Sequence, residues 1–195
     1  MEKFSTKEKI ALTIFGLILL AIVVQIVLQI DLFQEGADWT PEITIAEVDL
    51  DASLLNQPGV SLSGSSRNEA HQTVEQLIDG NPNSYWHVAL DQVGEPAWVT
   101  VDFGAGNEQV VQALAALPRE DIPRQFFRTA RLLGSDDGES WENVADILSR
   151  DTPFRASWRR WEFENDRAYR FYRFRINYGH EGGNFYSMAG LAFFE

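Results

Sequence analysis

The sequence predicts an all-β sandwich preceded by one transmembrane α-helix. Three observations carry this: an uncharged apolar run over Ile10–Ile30, an acidic stretch after it, and short apolar stretches recurring between turn signals from Arg67 onward. The chain of 195 residues, 45% hydrophobic and 23% charged, holds one globular domain plus appendages.

Residues 1–9 carry Lys3, Lys7 and Lys9, and no Lys or Arg follows until Arg67. This asymmetry places the N-terminus in the cytoplasm and the rest of the chain outside, in a periplasm or extracellular space, with the helix in the inner membrane. The run Ile10–Ile30 has twenty-one uncharged residues. At about 1.5 Å per helical residue it spans a hydrocarbon core of about 30 Å, so the transmembrane segment is set at 10–33. A cleaved signal peptide has a shorter apolar core and a small-x-small cleavage site, and Gln29-Ile-Asp-Leu-Phe33 offers none. Gln25 and Gln29 share a helix face near the outer boundary and offer hydrogen bonds to another membrane helix, or else reach interfacial water; Thr13 and Gly16 permit close helix approach nearer the inner side.

Residues 34–59 read as an acidic tether. Asp31 to Ser66 holds seven acidic residues and no basic one. Within it, Ile43 to Leu50 alternates apolar and polar residues, the pattern of a short strand or of a segment lying on a partner surface. Pro58-Gly59 and Ser61 to Ser66 read as a loop, and Glu69 to Leu77 as one short helix. Strands are expected over 98–103, 110–117, 129–133, 158–163, 169–176 and 191–194, in a domain covering 60–195.

The formal charge of −13 excludes nucleic acid as a partner, since phosphates demand a basic face. Zero Cys excludes disulfides, thiolate catalysis and zinc-thiolate sites, and three His leave little for a histidine-rich metal centre. His180-Glu-Gly-Gly-Asn184 lacks the second His of a zincin, and there is no G-x-S-x-G elbow or phosphate-binding glycine loop. The chain therefore reads as non-enzymatic. Its basic residues after Lys9 are all Arg, twelve of the thirteen between Arg119 and Arg175, which suits ion pairs across a strand face.

Leu77-Ile-Asp-Gly-Asn-Pro-Asn-Ser-Tyr-Trp86 packs a turn, a candidate cation cradle and an aromatic anchor into ten residues. With Pro96-Ala-Trp-Val-Thr-Val-Asp-Phe-Gly104, Leu133-Gly-Ser-Asp-Asp-Gly-Glu-Ser-Trp141 and Ala168-Tyr-Arg-Phe-Tyr-Arg-Phe-Arg175, it resembles, in order, the motifs of the discoidin or coagulation-factor type C domain, kin to galactose-binding-like carbohydrate modules. The resemblance covers about residues 60–195 and implies a jelly-roll sandwich whose loops at one end bind ligand. Trp86, Trp98 and Trp141 are then expected as core anchors, with Asp102, Asp137 and Gly138 serving turns.

The resemblance also implies a structural calcium at Asp79, Asn81 and Ser84. The acidic ligand such relatives place on the last strand is missing here, where Gly190 or Ala192 stands. The alternative is that Asp79 closes the turn unaided. For sugar, an aromatic face and planar hydrogen-bond partners are needed, and His87, Arg119, Arg124, His180, Asn184 and Phe185 are the candidates on the loop rim; the alternative is that they are solvated or paired. The expected function is a docking module held outside the membrane as an accessory subunit of a larger membrane assembly, with other membrane protein subunits as partners. The alternative is a membrane-anchored carbohydrate-binding protein.

Overall fold

In the computed structural model, residues 39–44, 47–65, 72–89, 96–181 and 185–195 are described, and Trp39–Glu195 forms one compact unit. The expected transmembrane helix with Thr13, Gly16, Gln25 and Gln29 lies outside the described residues, as does Asn184. Among the described residues no helix is long and apolar enough to cross a membrane.

Eleven strands are described: β1 (Glu42–Thr44), β2 (Ser61–Gly64), β3 (Trp86–Ala89), β4 (Ala97–Asp102), β5 (Ala113–Leu117), β6 (Phe127–Ser135), β7 (Glu142–Leu148), β8 (Arg159–Glu162), β9 (Phe171–Gly179), β10 (Phe185–Met188) and β11 (Gly190–Phe194). They pair antiparallel into a five-stranded sheet β2-β4-β9-β6-β7, a four-stranded sheet β1-β8-β5-β11 and a two-stranded ladder β10-β3. All six expected strands appear. The expected helix over 69–77 is, among the described residues, a single 3-10 turn at Val74–Leu77, and Ser61 to Ser66, read as a loop, supplies β2 as an edge strand.

Alternation decides which side chains meet. On β4, Ala97, Val99 and Val101 are fully buried, and on β9 so are Tyr172, Phe174 and Ile176, while Trp98, Phe171, Arg173 and Arg175 face the other way. The two larger sheets meet through aromatic rings. Phe127 of β6 lies 5.0 Å from Phe174 of β9, 5.3 Å from Trp161 of β8 and 4.3 Å from Phe126, centroid to centroid. Tyr172 ties the layers again: its hydroxyl donates to the Gln109 carbonyl at 2.8 Å and accepts from Val111 N–H at 3.2 Å. Burial pushes that phenol up to about 12.

The stretch read as a tether is held against the sandwich from residue 39 on. Thr40 N–H donates to the Asp146 carbonyl at 3.0 Å, β1 pairs with β8, and Leu54 and Leu55 enter the main core. Arg159 fastens β1: its Nη1 lies 2.8 Å from Glu42 Oε1, 2.7 Å from Ser149 Oγ and 2.9 Å from the Asp151 carbonyl. Val48, Leu50 and Trp158 cover the outer face of the four-stranded sheet, where Ala113, Ala115, Ala192 and Phe194 form a second cluster. Small side chains on β5 let that covering layer approach closely, which is why all five β5 residues are buried.

Trp86 is a core anchor as expected, fully buried with its Nε1 donating to the Ser65 carbonyl at 3.0 Å. Trp98 and Trp141 are not; both are half-buried on the outward side of the five-stranded sheet, and Trp161 fills the centre instead. The reason is register: Ala97 and Val99 take the inward positions on β4, so Trp98 between them points out. Asp102 and Asp137 do serve turns, accepting from Gly104 N–H at 2.8 Å and from Glu139 and Ser140 N–H at 2.8 Å each, with Gly138 at φ +76°.

Trp161→Ala is expected to lower unfolding free energy by about 3–5 kcal/mol, whereas Trp98→Ala costs only about 1 kcal/mol through its lost cation–π contact. Urea unfolding of both variants checks this, and equal losses would contradict the assignment of Trp161 as the central ring.

Candidate functional site

The β3-β10 ladder builds the site. Trp86 and Val88 on β3 and Tyr186 and Met188 on β10 are buried, so the register Met188↔Trp86, Ser187↔His87, Phe185↔Ala89 fixes the opposite phase for Tyr85, His87 and Phe185. His87 and Phe185, diagonal neighbours across the ladder, stack with ring planes 2° apart and centroids 6.0 Å apart. Phe185 remains 44% exposed, which leaves ring surface open to a ligand.

Gln72, ahead of the 3-10 turn Val74–Leu77, joins this pair to a second one. Its Oε1 is 2.9 Å from His87 Nδ1 and its Nε2 donates to Tyr85 Oη at 3.4 Å. An amide oxygen on Nδ1 assigns that nitrogen the proton in the neutral ring. Tyr85 in turn carries Arg119, whose guanidinium carbon lies 3.6 Å from the ring centroid. Arg119 is 6% exposed and forks onto Asp121 with two contacts of 2.6 Å. The guanidinium hydrogen bond holds the Asp121 carboxyl below the usual carboxylate range. In front of them opens a cavity of about 330 Å³ lined by Pro82, Asn83, Tyr85, Arg119, Glu120 and Asp121.

The fold thus brings together three of the six rim candidates, in the row Phe185, His87, Gln72, Tyr85, Arg119. Gln72, Tyr85 and Asp121 were missed from sequence. Tyr85-x-His87 has the same-face spacing of a strand, a signal that finds Tyr85; Gln72 is distant in sequence and nothing local marks it. Arg124 and His180 have other partners. Arg124 pairs with Glu181 at 2.8 Å on the surface. His180 Nδ1 is 3.2 Å from Thr152 Oγ1 and its Nε2 is 3.4 Å from Ser149 Oγ, beside the Arg159–Glu42 pair. Burial first, then the positive charges of Arg159 and Arg128, push the His180 imidazole down to about 4.

At the expected calcium position the turn is closed by its own hydrogen bonds. Asp79 Oδ1 accepts from Asn81 N–H at 2.8 Å, and Asp79 Oδ2 lies 2.6 Å from Ser84 Oγ, which is also 2.8 Å from the Asn81 carbonyl. Both carboxylate oxygens are therefore engaged within the turn. On the last strand, at Gly190, one of the two positions where an acidic ligand is expected, a Cβ would meet the Trp158 ring at 2.5 Å. Among the described residues no group of three His, Cys, Asp or Glu stands ready for a metal.

The sequence profile of the F5/8 type C domain matches residues 61–191. No curated protein sequence matches the chain. Among solved structures, CpGH89CBM32-5 of Clostridium perfringens, determined with GalNAc-beta-1,3-galactose, superposes with a TM-score of 0.57 at 20% identity, covering 70% of this chain and 94% of that one. The family 32 module of NanJ from C. perfringens, determined with galactose, gives 0.57 at 20% identity over 80% of this chain and all of that one. Chitosan-binding module 1 of a chitosanase/glucanase from Paenibacillus sp. IK-5 gives 0.53 at 16% identity, covering 69% and 94%. Likeness at these identities establishes the jelly-roll fold.

A testable consequence follows from His180. Its folded value of about 4 lies below the ordinary 6.5, so between these pH values the unfolded chain binds a proton that the folded chain refuses. Stability contributed by the neutral ring is full above about pH 6.5 and falls as the pH drops toward 4. Thermal unfolding across this range should show the decline, and His180→Gln should flatten it; an unchanged slope in the variant would show that other groups cause it.

Proposed function

The chain belongs to the F5/8 type C domain family, and from that membership we propose that its sandwich is a non-catalytic carbohydrate-binding module that recognises a galactose-type sugar at the His87–Phe185 rim. The observation that carries this is the exposed Phe185 ring stacked on His87, with Gln72, Tyr85 and the Arg119–Asp121 fork continuing the same row. A pyranose offers one face of C–H groups and a rim of hydroxyls. An aromatic surface takes the first, and planar amide, imidazole and carboxylate groups in fixed orientation take the second. Similar modules solved with galactose and with GalNAc-containing ligands support the choice of sugar.

The uncharged run Ile10–Ile30 supplies the anchor, and the flanking lysines set the module on the outer side of the bilayer. In this reading the chain displays a sugar-binding head at the cell surface. Docking onto membrane protein subunits rests on Gln25 and Gln29, which lie outside the described residues, whereas the rim is a formed surface; the glycan reading therefore leads.

Calorimetric titration with galactose and N-acetylgalactosamine tests it. Phe185→Ala should weaken binding by at least about tenfold, while Arg167→Ala, whose partners Asp136 and Glu142 lie at the β6-β7 turn, should bind as the parent does. Absence of binding to any neutral sugar, or full retention by Phe185→Ala, would overturn the reading.

A further inference from the structure

β9 is the central strand of the five-stranded sheet, and on its outward side Phe171, Arg173 and Arg175 are half-buried. The guanidinium carbon of Arg173 lies 4.8 Å from the Trp98 ring centroid and 4.1 Å from that of Trp141, so indoles flank it. Its Nε donates to Thr100 Oγ1 at 2.8 Å. Its terminal amino groups have no acceptor among the described residues, and they are not among the buried unpaired atoms, so they open to solvent. Arg175, two residues along the same strand and therefore about 7 Å away, has no ion pair or hydrogen bond among the described residues.

Arg119, Arg124, Arg131, Arg159, Arg160, Arg167 and Arg170 each have a carboxylate partner. Among the described residues no carboxylate pairs with Arg173 or Arg175, although the net charge of −13 makes carboxylates abundant in the chain. Arg131, opposite Arg175 on β6, is already committed to Asp146 at 2.8 Å. Burial first, and then the neighbouring charge of Arg175, lowers the Arg173 pKa.

We infer that the outward face of the five-stranded sheet, at Trp98, Arg173, Trp141 and Arg175, binds the carboxylate of an acidic sugar such as a uronic acid, as a second ligand surface separate from the His87–Phe185 rim. A guanidinium fork matches a carboxylate with two parallel hydrogen bonds. The indoles hold the Arg173 fork in one orientation, so little side-chain freedom is lost on binding, and they add an apolar wall for the sugar's C–H groups. An acidic peptide fits less well. β9 is paired on both sides, to β4 and to β6, so an extended peptide finds no strand edge and no main-chain hydrogen bonds there. The protein's overall negative charge repels a long polyanion, but repulsion is screened beyond about 8 Å at physiological salt, which leaves the local pair of arginines to decide for a short oligomer.

The test is titration of the full chain, in neutral detergent, with a short galacturonic acid oligomer. Binding is expected, weaker at high salt, and unaffected by Phe185→Ala. Arg175→Gln should weaken it by about tenfold or more, the worth of one charge-assisted contact, with the unfolding midpoint unchanged; Arg173→Gln should weaken it further. No binding of the oligomer, unchanged affinity in Arg175→Gln, or equally tight binding of oligoglutamate would each overturn the proposal.

Discussion

Phe127 is the contact on which the architecture depends, because its ring lies between the two larger sheets. It stands on β6 of one sheet and meets Trp161 on β8 of the other, with Phe174 and Phe126 closing around it. A sandwich holds its layers about 10 Å apart only if large rings bridge the gap. The Tyr172 hydroxyl, bonded to the chain just before β5, adds a directional tie that rings alone do not provide. Together they fix which residues of each strand face inward, and so, by alternation, which face out.

The candidate site is a consequence of that alternation. Trp86 and Val88 must point into the core, so His87 and Tyr85 cannot, and the β3-β10 register then sets Phe185 diagonally across from His87. The same rule on β4 and β9 sends Trp98, Arg173 and Arg175 to the opposite side of the molecule's larger sheet. Two outward surfaces of different chemistry thus follow from one packing requirement. The first is aromatic with polar partners and the Arg119–Asp121 pair; the second is cationic between indoles.

Much of this was legible in the sequence. Strands such as β4 and β9 show period-two apolar positions, and the turn at Asp79 to Ser84 is written in its residue types, with Asp79 closing it through its own carboxylate. His87 and Phe185 stand among the rim candidates because sugar binding asks for an aromatic face and planar hydrogen-bond partners. What escaped was what depends on distant pairing. Trp98 looks like core material by size, yet its neighbours Ala97 and Val99 occupy the inward positions. Gln72 is unremarkable until β3 is laid beside it. The acidic composition of residues 34–59 masked Glu42, which pairs with buried Arg159, and Leu54-Leu55, which are core residues. Composition reports average solvation, whereas a single buried ion pair or leucine pair decides where a segment lies.

The glycine at 190 has a physical reason. Trp158 occupies the space a side chain there would need and joins Val48 and Leu50 in covering the second apolar cluster. Val48 and Leu50 before β2 thus pack with Trp158 on the last strand's outer face, and the turn at Asp79 is closed by hydrogen bonds of its own. The account's central claim is that recognition happens on the β3-β10 ladder. Heteronuclear NMR titration of the full chain with galactose tests it most directly: the account predicts shift changes concentrated at Tyr85, His87, Phe185 and Ser187, and changes confined instead to the outward face of β9 or to residues 47–51 would contradict it.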